Sequence, residues 1–142
     1  MLKTIIKASE NFCIHQIRSP HVLSDIKTQT RTLIAYIDID SSDGKKHRVY
    51  LASEPKFMQR VSKLFLEEDE SDEETLIDMA LETTNLIVGS AKVIAEEANE
   101  NPYIISTPHF IKLDIFNYEY DEFKVIQIED DQMIIAIKEL NG

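Results

Sequence analysis

Apolar positions along this chain recur at two spacings, and the changes between them predict its elements. Leu2, Ile5 and Ile6, followed by Ser9, can share one side of a short helix over Leu2 to Asn11. Phe12-Cys13-Ile14-His15-Gln16-Ile17-Arg18 partly alternates and predicts a strand, with Pro20 near its end. Thr30 to Asp40 is β-branched and aromatic and stops at the turn Ser41-Ser42-Asp43-Gly44. Lys46 to Ala52 resumes with the same character, so the two predict a hairpin with a slightly long loop. Ser53 before Glu54 and Pro55 then marks a helix start. Phe57, Met58, Val61, Leu64 and Phe65 supply that helix with an amphipathic stripe.

Glu67 to Glu74 holds seven acids in eight residues. It lacks the oxygen spacing and the glycine of a calcium loop, so a solvated interhelical loop accounts for it. Ser71 followed by Glu74 has the form of a capping box, and acids there suit a helix N-terminus. One long helix is expected from about Asp72 to Asn99, with Pro102 after its end. Tyr103 to Ser106, His109 to Phe116, Glu122 to Ile128 and Gln132 to Ile137 predict strands, separated by turns at Tyr118 to Asp121 and Glu129 to Asp131. The order is roughly α-β-β-β-α-α-β-β-β, with no parallel βαβ series. It predicts a single α+β two-layer domain over residues 1–142, an antiparallel β-sheet packed against a pair of α-helices.

On a helical wheel, Ile77, Ala80, Thr84, Ile87, Val88, Ala91, Ile94, Ala95 and Ala98 gather on one face, the expected core side. Opposite them Asp78, Glu82, Asn85, Gly89, Lys92 and Glu96 stack one above another. A solvated face accounts for the charged members. Asn85 and Gly89 stand out, because asparagine is a mediocre helix former and a mid-helix glycine costs roughly 1 kcal/mol relative to alanine. An outward glycine lets another backbone come close, and Leu86 and Val93 add an apolar rim. Asp78, Leu86, Gly89, Lys92 and Val93 are therefore candidate partner contacts. Glu82 and Asn85, one turn apart, can enter a partner's site together. A carboxylate can grip a cation there, and a carboxamide can hold a water for in-line attack on a phosphoryl group.

Charge narrows the choice of partner. With 26 Asp+Glu against 15 Lys+Arg, the chain carries a net charge of −11 and a pI near 4.7. No basic stripe is present, so nucleic acid and an acidic membrane surface are disfavoured. No apolar run is long enough to span a bilayer, and the first residues, Met1 to Lys7, do not read as a secretory signal. A cytoplasmic location is expected. Cys13 is alone, which excludes an internal disulfide framework and a cysteine-rich zinc site. It is read as a buried, inert thiol in the first strand. His15, His21, His47 and His109 are scattered without metal-ligand spacing, and neither a phosphate loop nor a nucleophile elbow occurs. Lys45, Lys46, His47 and Arg48 read as a solvated hairpin tip.

The stretch Asp78-Met79-Ala80-Leu81-Glu82-Thr83-Thr84-Asn85-Leu86-Ile87-Val88-Gly89-Ser90-Ala91-Lys92 resembles the signature helix of the CheX-like chemotaxis phosphatases, of the CheC/CheX/FliY family. In that family a Glu-x-x-Asn pair precedes an apolar pair, a glycine and an Ala-Lys. Ile104-Ile105-Ser106-Thr107-Pro108 is similar to the family's strand and proline-containing turn. The resemblance extends in arrangement over about residues 30 to 112, with motif specificity across Asp78 to Pro108. It implies paired helices on an antiparallel sheet, often dimeric through sheet edges. It also implies removal of the phosphoryl group from the aspartate of a CheY-like response-regulator receiver in bacterial chemotaxis. Carried over by position, Asn85 would orient the attacking water and Glu82 would contact the receiver's active-site lysine. The Mg²⁺ would sit on the receiver, with no cofactor held by this chain.

Thr84 stands where many members have glycine, on the buried side of the wheel, so a packing change is expected there. No second Glu-x-x-Asn occurs in the Glu54–Leu66 helix, so one active surface per chain is expected. Two other readings compete with the enzyme. One is a non-catalytic CheX-like adaptor or dimerisation module, and the other is a structural dimer whose polar stripe is plain solvent face. A homodimer seam is expected at a sheet edge near Ile134–Leu140 or Leu33–Ile39.

Overall fold

A computed structural model of the chain describes residues 1–100 and 103–140. Its elements are helix α1 (Leu2–Phe12), a π-helical turn (Cys13–Ile17), strands β1 (Val22–Ser24), β2 (Thr32–Ser41) and β3 (Lys46–Ser53), helices α2 (Pro55–Leu66) and α3 (Glu73–Glu97), and strands β4 (Tyr103–Ile105), β5 (His109–Asp114), β6 (Glu122–Ile128) and β7 (Asp131–Glu139). The strands form one sheet in the order β1-β6-β7-β3-β2-β4, and β5 also pairs with β2. Every pairing is antiparallel. The expected α+β architecture is therefore present, with three helices rather than two beside the sheet.

Alternation along the strands assigns the two faces of the sheet. Leu33, Ile37, Ile39, Val49, Leu51, Ile126, Ile128, Met133, Ile135 and Ile137 join the helices in the main core. Their neighbours Ile34, Tyr50, Ala52, Val125, Ile134 and Ala136 form a second cluster on the opposite face with Phe116, packed by Tyr36, Tyr118, Tyr120 and Phe123. Burial on both faces is why β2 and β7 are nearly continuous apolar runs. Phe57, Met58 and Val61 of α2 are fully buried, each such side chain contributing roughly 1.5–3 kcal/mol.

Several expectations change. Phe12–Ile17 is helical, not a strand: Phe12, Cys13 and Ile17 are buried while Ile14, His15 and Gln16 face out. That spacing fits a helix face, and α1 runs on into the wider turn. Arg18 ends it in the left-handed region (φ 60°), donating its N–H to the Cys13 carbonyl at 2.7 Å. Cys13 is thus buried as expected, but in a helical turn. The short β1, which no apolar alternation in the sequence predicts, pairs with β6. Both proposed dimer seams are interior. Residues 134–139 lie in β7 between β6 and β3, and 33–39 lie in β2 between β3 and the β4/β5 edge, so their ladders are already paired. Among the described residues, the free edges are β1 and β4/β5.

Helix details shift as well. Leu64 points outward, 48% exposed, and Ala98 is exposed at the end of α3. Leu76, Met79 and Thr83, omitted from the expected core side, are buried. The cap of α3 is Asp72, whose Oδ1 accepts from the Thr75 N–H at 2.8 Å. Ser71 is buried and engaged elsewhere, bonded through its backbone to the Gln59 amide and through its hydroxyl to Ser62 and to the Glu68 carboxylate, to which it donates at 3.0 Å. The capping box is therefore not formed. Pro102 lies outside the described residues.

Candidate functional site

Helix α3 presents the candidate residues, and its buried side holds it in place. Leu76, Met79, Ala80, Thr83, Thr84, Ile87, Val88, Ala91 and Ala95 are buried. Thr84 donates its hydroxyl to the Ala80 carbonyl at 2.7 Å, and Thr83 donates to the Met58 sulfur at 3.7 Å. Thr84 is thus a packing residue, as its place on the wheel implied.

On the opposite side Asp78, Glu82 and Asn85 are exposed, Gly89 and Lys92 are half-buried, and Glu96 is exposed. Glu82 and Asn85 stand at i and i+3, which sets their Cβ atoms about 5–6 Å apart. Neither makes a hydrogen bond or ion pair with a described residue, so both heads are available to another molecule. A Cβ built on Gly89 would meet no heavy atom within 4 Å. Packing within the chain therefore does not require this glycine, and the smooth patch it leaves faces outward. Leu86 (38% exposed) and Val93 (51% exposed) flank the row as expected.

Two concavities border the row, and neither was evident from the sequence. One of about 430 Å³ lies between Leu86 and Ser90 of α3 and the end of α1, over Phe12 and Phe65. The other, of about 390 Å³, lies between Lys92 and Glu96 and the β4 edge, where Ile104 is 72% exposed. A three-residue edge strand carrying an outward isoleucine was the available signal for the second. The first combines three helices and leaves no local pattern.

The remaining candidates fall elsewhere. The Cys13 thiol is pushed up to about 12, by burial first and by the Glu10 charge second, so it stays protonated near neutral pH. His109 lies beside the Tyr36 ring at 5.2 Å on the β5 edge. Arg48 is not part of a solvated tip: it makes a bidentate pair with Asp38 (2.8 and 3.0 Å) and stacks over Tyr36. Among the described residues, no group of three or more His, Cys, Asp or Glu could hold a metal ion. No described helix is long and apolar enough to cross a membrane. What the α3 row offers is a rigidly mounted carboxylate and carboxamide, suited to completing a site on another molecule.

A family model described as chemotaxis phosphatase CheX matches residues 34–136. Among solved structures, the chain is similar to the chemotaxis protein CheX of Vibrio vulnificus, at 14% identity and a TM-score of 0.78, over 98% of each chain. It is also similar to a chemotaxis protein CheX from Desulfovibrio desulfuricans, at 16% identity and a TM-score of 0.76, over 97% of each chain. A third similar structure is the CheX-CheY-BeF3-Mg²⁺ complex from Borrelia burgdorferi, at 14% identity and a TM-score of 0.67, over 97% of each chain. At these identities the likeness is one of fold. No curated protein matches the chain in sequence.

Proposed function

The chain belongs to the CheX family of chemotaxis phosphatases, and we propose that it removes the phosphoryl group from the aspartate of a CheY-like receiver through Glu82 and Asn85. The observation that carries this reading is the pair itself: both heads project from the exposed side of a helix whose other side is buried, unpartnered among the described residues. Asn85 holds a water in line with the phosphorus, its amide oxygen accepting from the water while its N–H₂ remains free to donate. The water oxygen bonds to phosphorus as the bond to the aspartyl oxygen breaks, yielding inorganic phosphate and the free carboxylate. Glu82 pairs with the receiver's active-site lysine and fixes the dock. Asp78, Leu86, Gly89, Lys92 and Val93 form the surrounding contact surface.

The Mg²⁺ of the reaction belongs to the receiver and stabilises charge on the phosphoryl oxygens there. The Borrelia complex, which contains CheY, beryllium fluoride and Mg²⁺ together with a CheX, supports a partner of this kind. In this reading residues 1–142 act as one domain with one active surface, in the cytoplasm. A homodimer through a sheet edge would use β1 or β4/β5, because β2 and β7 are interior.

The test is the decay of a phosphorylated receiver from the same cell, in Mg²⁺, with and without the protein. Acceleration that disappears in Asn85→Ala is the expected result. Unchanged decay across the cell's receivers would overturn the enzyme. Binding without acceleration would leave the adaptor reading in its place.

A further inference from the structure

The surface beside Asn85 is concave. Glu82, Leu86 and Ser90 form one row along α3 at i, i+4 and i+8, and Leu86 and Ser90 are also one wall of the groove of about 430 Å³. Its floor is Phe12 and Phe65, whose rings stand 5.9 Å apart and tilted. Asn11 and His15 carry the far rim, at the junction of α1 with the π-helical turn.

We propose that this groove receives one large apolar side chain of the same receiver that presents its phosphoaspartate to Asn85, and thereby selects among receivers. The proposal rests on the docking reading above and adds to it where specificity lies. Three observations identify the occupant. The wall of the groove continues the row that begins at Glu82, so a body seated on Glu82 and Asn85 must cover Leu86. The floor is aromatic, a buried Phe12 against a half-buried Phe65. No Asp, Glu, Lys or Arg lines the groove, and of its polar members His15, Gln16 and Ser90 are exposed, so a charged side chain seated on the two phenylalanines would lose water without a carboxylate, ammonium or guanidinium to pair with. Pockets of this kind, filled by an anchor and sheltered from water, carry a large share of interface energy.

Ser90 is exposed and belongs to neither the catalytic pair nor the core, so Ser90→Trp fills the groove from the solvent side. Against the phosphorylated receiver, it should raise KM about tenfold or more, the loss of a single anchor, and leave the rate at saturation essentially unchanged. Ser90→Leu, a smaller filling, serves if the tryptophan variant fails a near-ultraviolet circular-dichroism check of its fold. The receiver's exposed Leu, Ile, Met, Val and Phe residues are then cut to alanine one at a time. One truncation should weaken docking to the wild type about tenfold yet have almost no effect on Ser90→Trp, the signature of a shared contact in a double-mutant cycle. If Asn85→Ala abolishes activity while Ser90→Trp leaves KM unchanged, or if every truncation is additive, the groove proposal fails and the phosphatase stands. If the wild type does not accelerate decay at all, the phosphatase reading fails and the groove proposal with it.

Discussion

The hydroxyl of Thr84 donates to the carbonyl of Ala80 at 2.7 Å, one turn back along α3, and both residues are fully buried. The residue directly before Asn85 is thereby tied to the core side of the helix, which leaves Asn85 facing out. The bond is local: the Ala80 carbonyl already belongs to the helix ladder, and a back-bonding threonine adds little to helix stability.

Thr84→Val should therefore change folding free energy by no more than about 1 kcal/mol, since shape is kept and only a second bond to one carbonyl is lost. The decay rate of a phosphorylated receiver should match the wild type. Urea unfolding followed by circular dichroism measures the first, and the receiver assay the second. Lost activity with intact stability would mean that Thr84 acts in the site and not in packing.

Asp72 offers a pH test of how α3 begins. Hydrogen bonds from Thr75, from its hydroxyl first and then its backbone N–H, hold the Asp72 carboxyl below its ordinary value of 3.8. A pKa that is lower in the folded than in the unfolded state stabilises the fold above the unfolded value. That contribution disappears as pH falls through the folded one. Asp72→Ala should thus lower the melting temperature at neutral pH, and the gap to wild type should close in acid below the usual carboxylate range. Thermal melts of the two proteins across acid and neutral pH decide this, and a gap that persists unchanged in acid would show that the charged Asp72 carboxylate does not cap α3.

The sequence was most legible where one local rule acted alone. The hairpin of β2 and β3 followed from β-branched runs around Ser41–Gly44, and α3 followed from its apolar face. The Glu122–Ile128 strand coincided with β6 at both ends. Failures came where tertiary contacts decided. Phe12-Cys13-Ile14-His15-Gln16-Ile17 partly alternates in hydropathy, yet the residues that become buried, Phe12, Cys13 and Ile17, have helical spacing, and packing makes the choice, as in the contact of Phe12 with Phe65. Ser71 has the form of a cap but is drawn under α2, so Asp72 takes that place. Strand order depends on contacts distant in sequence, which is why apolar runs alone do not distinguish the interior strands β2 and β7 from edges. Within the candidate site, the outward row was legible from helical spacing. The groove was not, since its walls come from α1, α2 and α3.

Glu82 and Asn85 should separate kinetically. Asn85→Ala removes the group that holds the water and leaves the docking charge, so the rate at saturation should fall by about 10² or more with KM little changed. Its stability should match or exceed the wild type, alanine being the better helix former. Glu82→Gln removes a charge that pairs with a lysine, so it should chiefly raise KM. It should also weaken the dependence of KM on salt, because screening acts on the lost pair. Phosphoreceiver titrations at two ionic strengths measure both. A salt dependence unchanged in Glu82→Gln would show that Glu82 does not meet a cation.

Gly89 separates folding from docking most cleanly. Its missing side chain leaves open space, with no heavy atom within 4 Å of a built Cβ. It also lies mid-helix, where glycine costs about 0.5–1 kcal/mol against alanine through its backbone freedom. Gly89→Ala should therefore stabilise the protein by about that amount, a gain readable in a urea midpoint. Gly89→Leu should also fold at least as well as the wild type, since the added atoms reach solvent and leucine is a good helix former. If a receiver approaches α3 across this position, the leucine holds it away from Asn85, and KM should rise about tenfold or more, the equivalent of some 1.4 kcal/mol of lost docking. A leucine variant that is both more stable and fully active would show that the row's smooth patch carries no partner. Gly89 would then be a plain helix defect, and the docking surface would have to be sought away from this turn of α3.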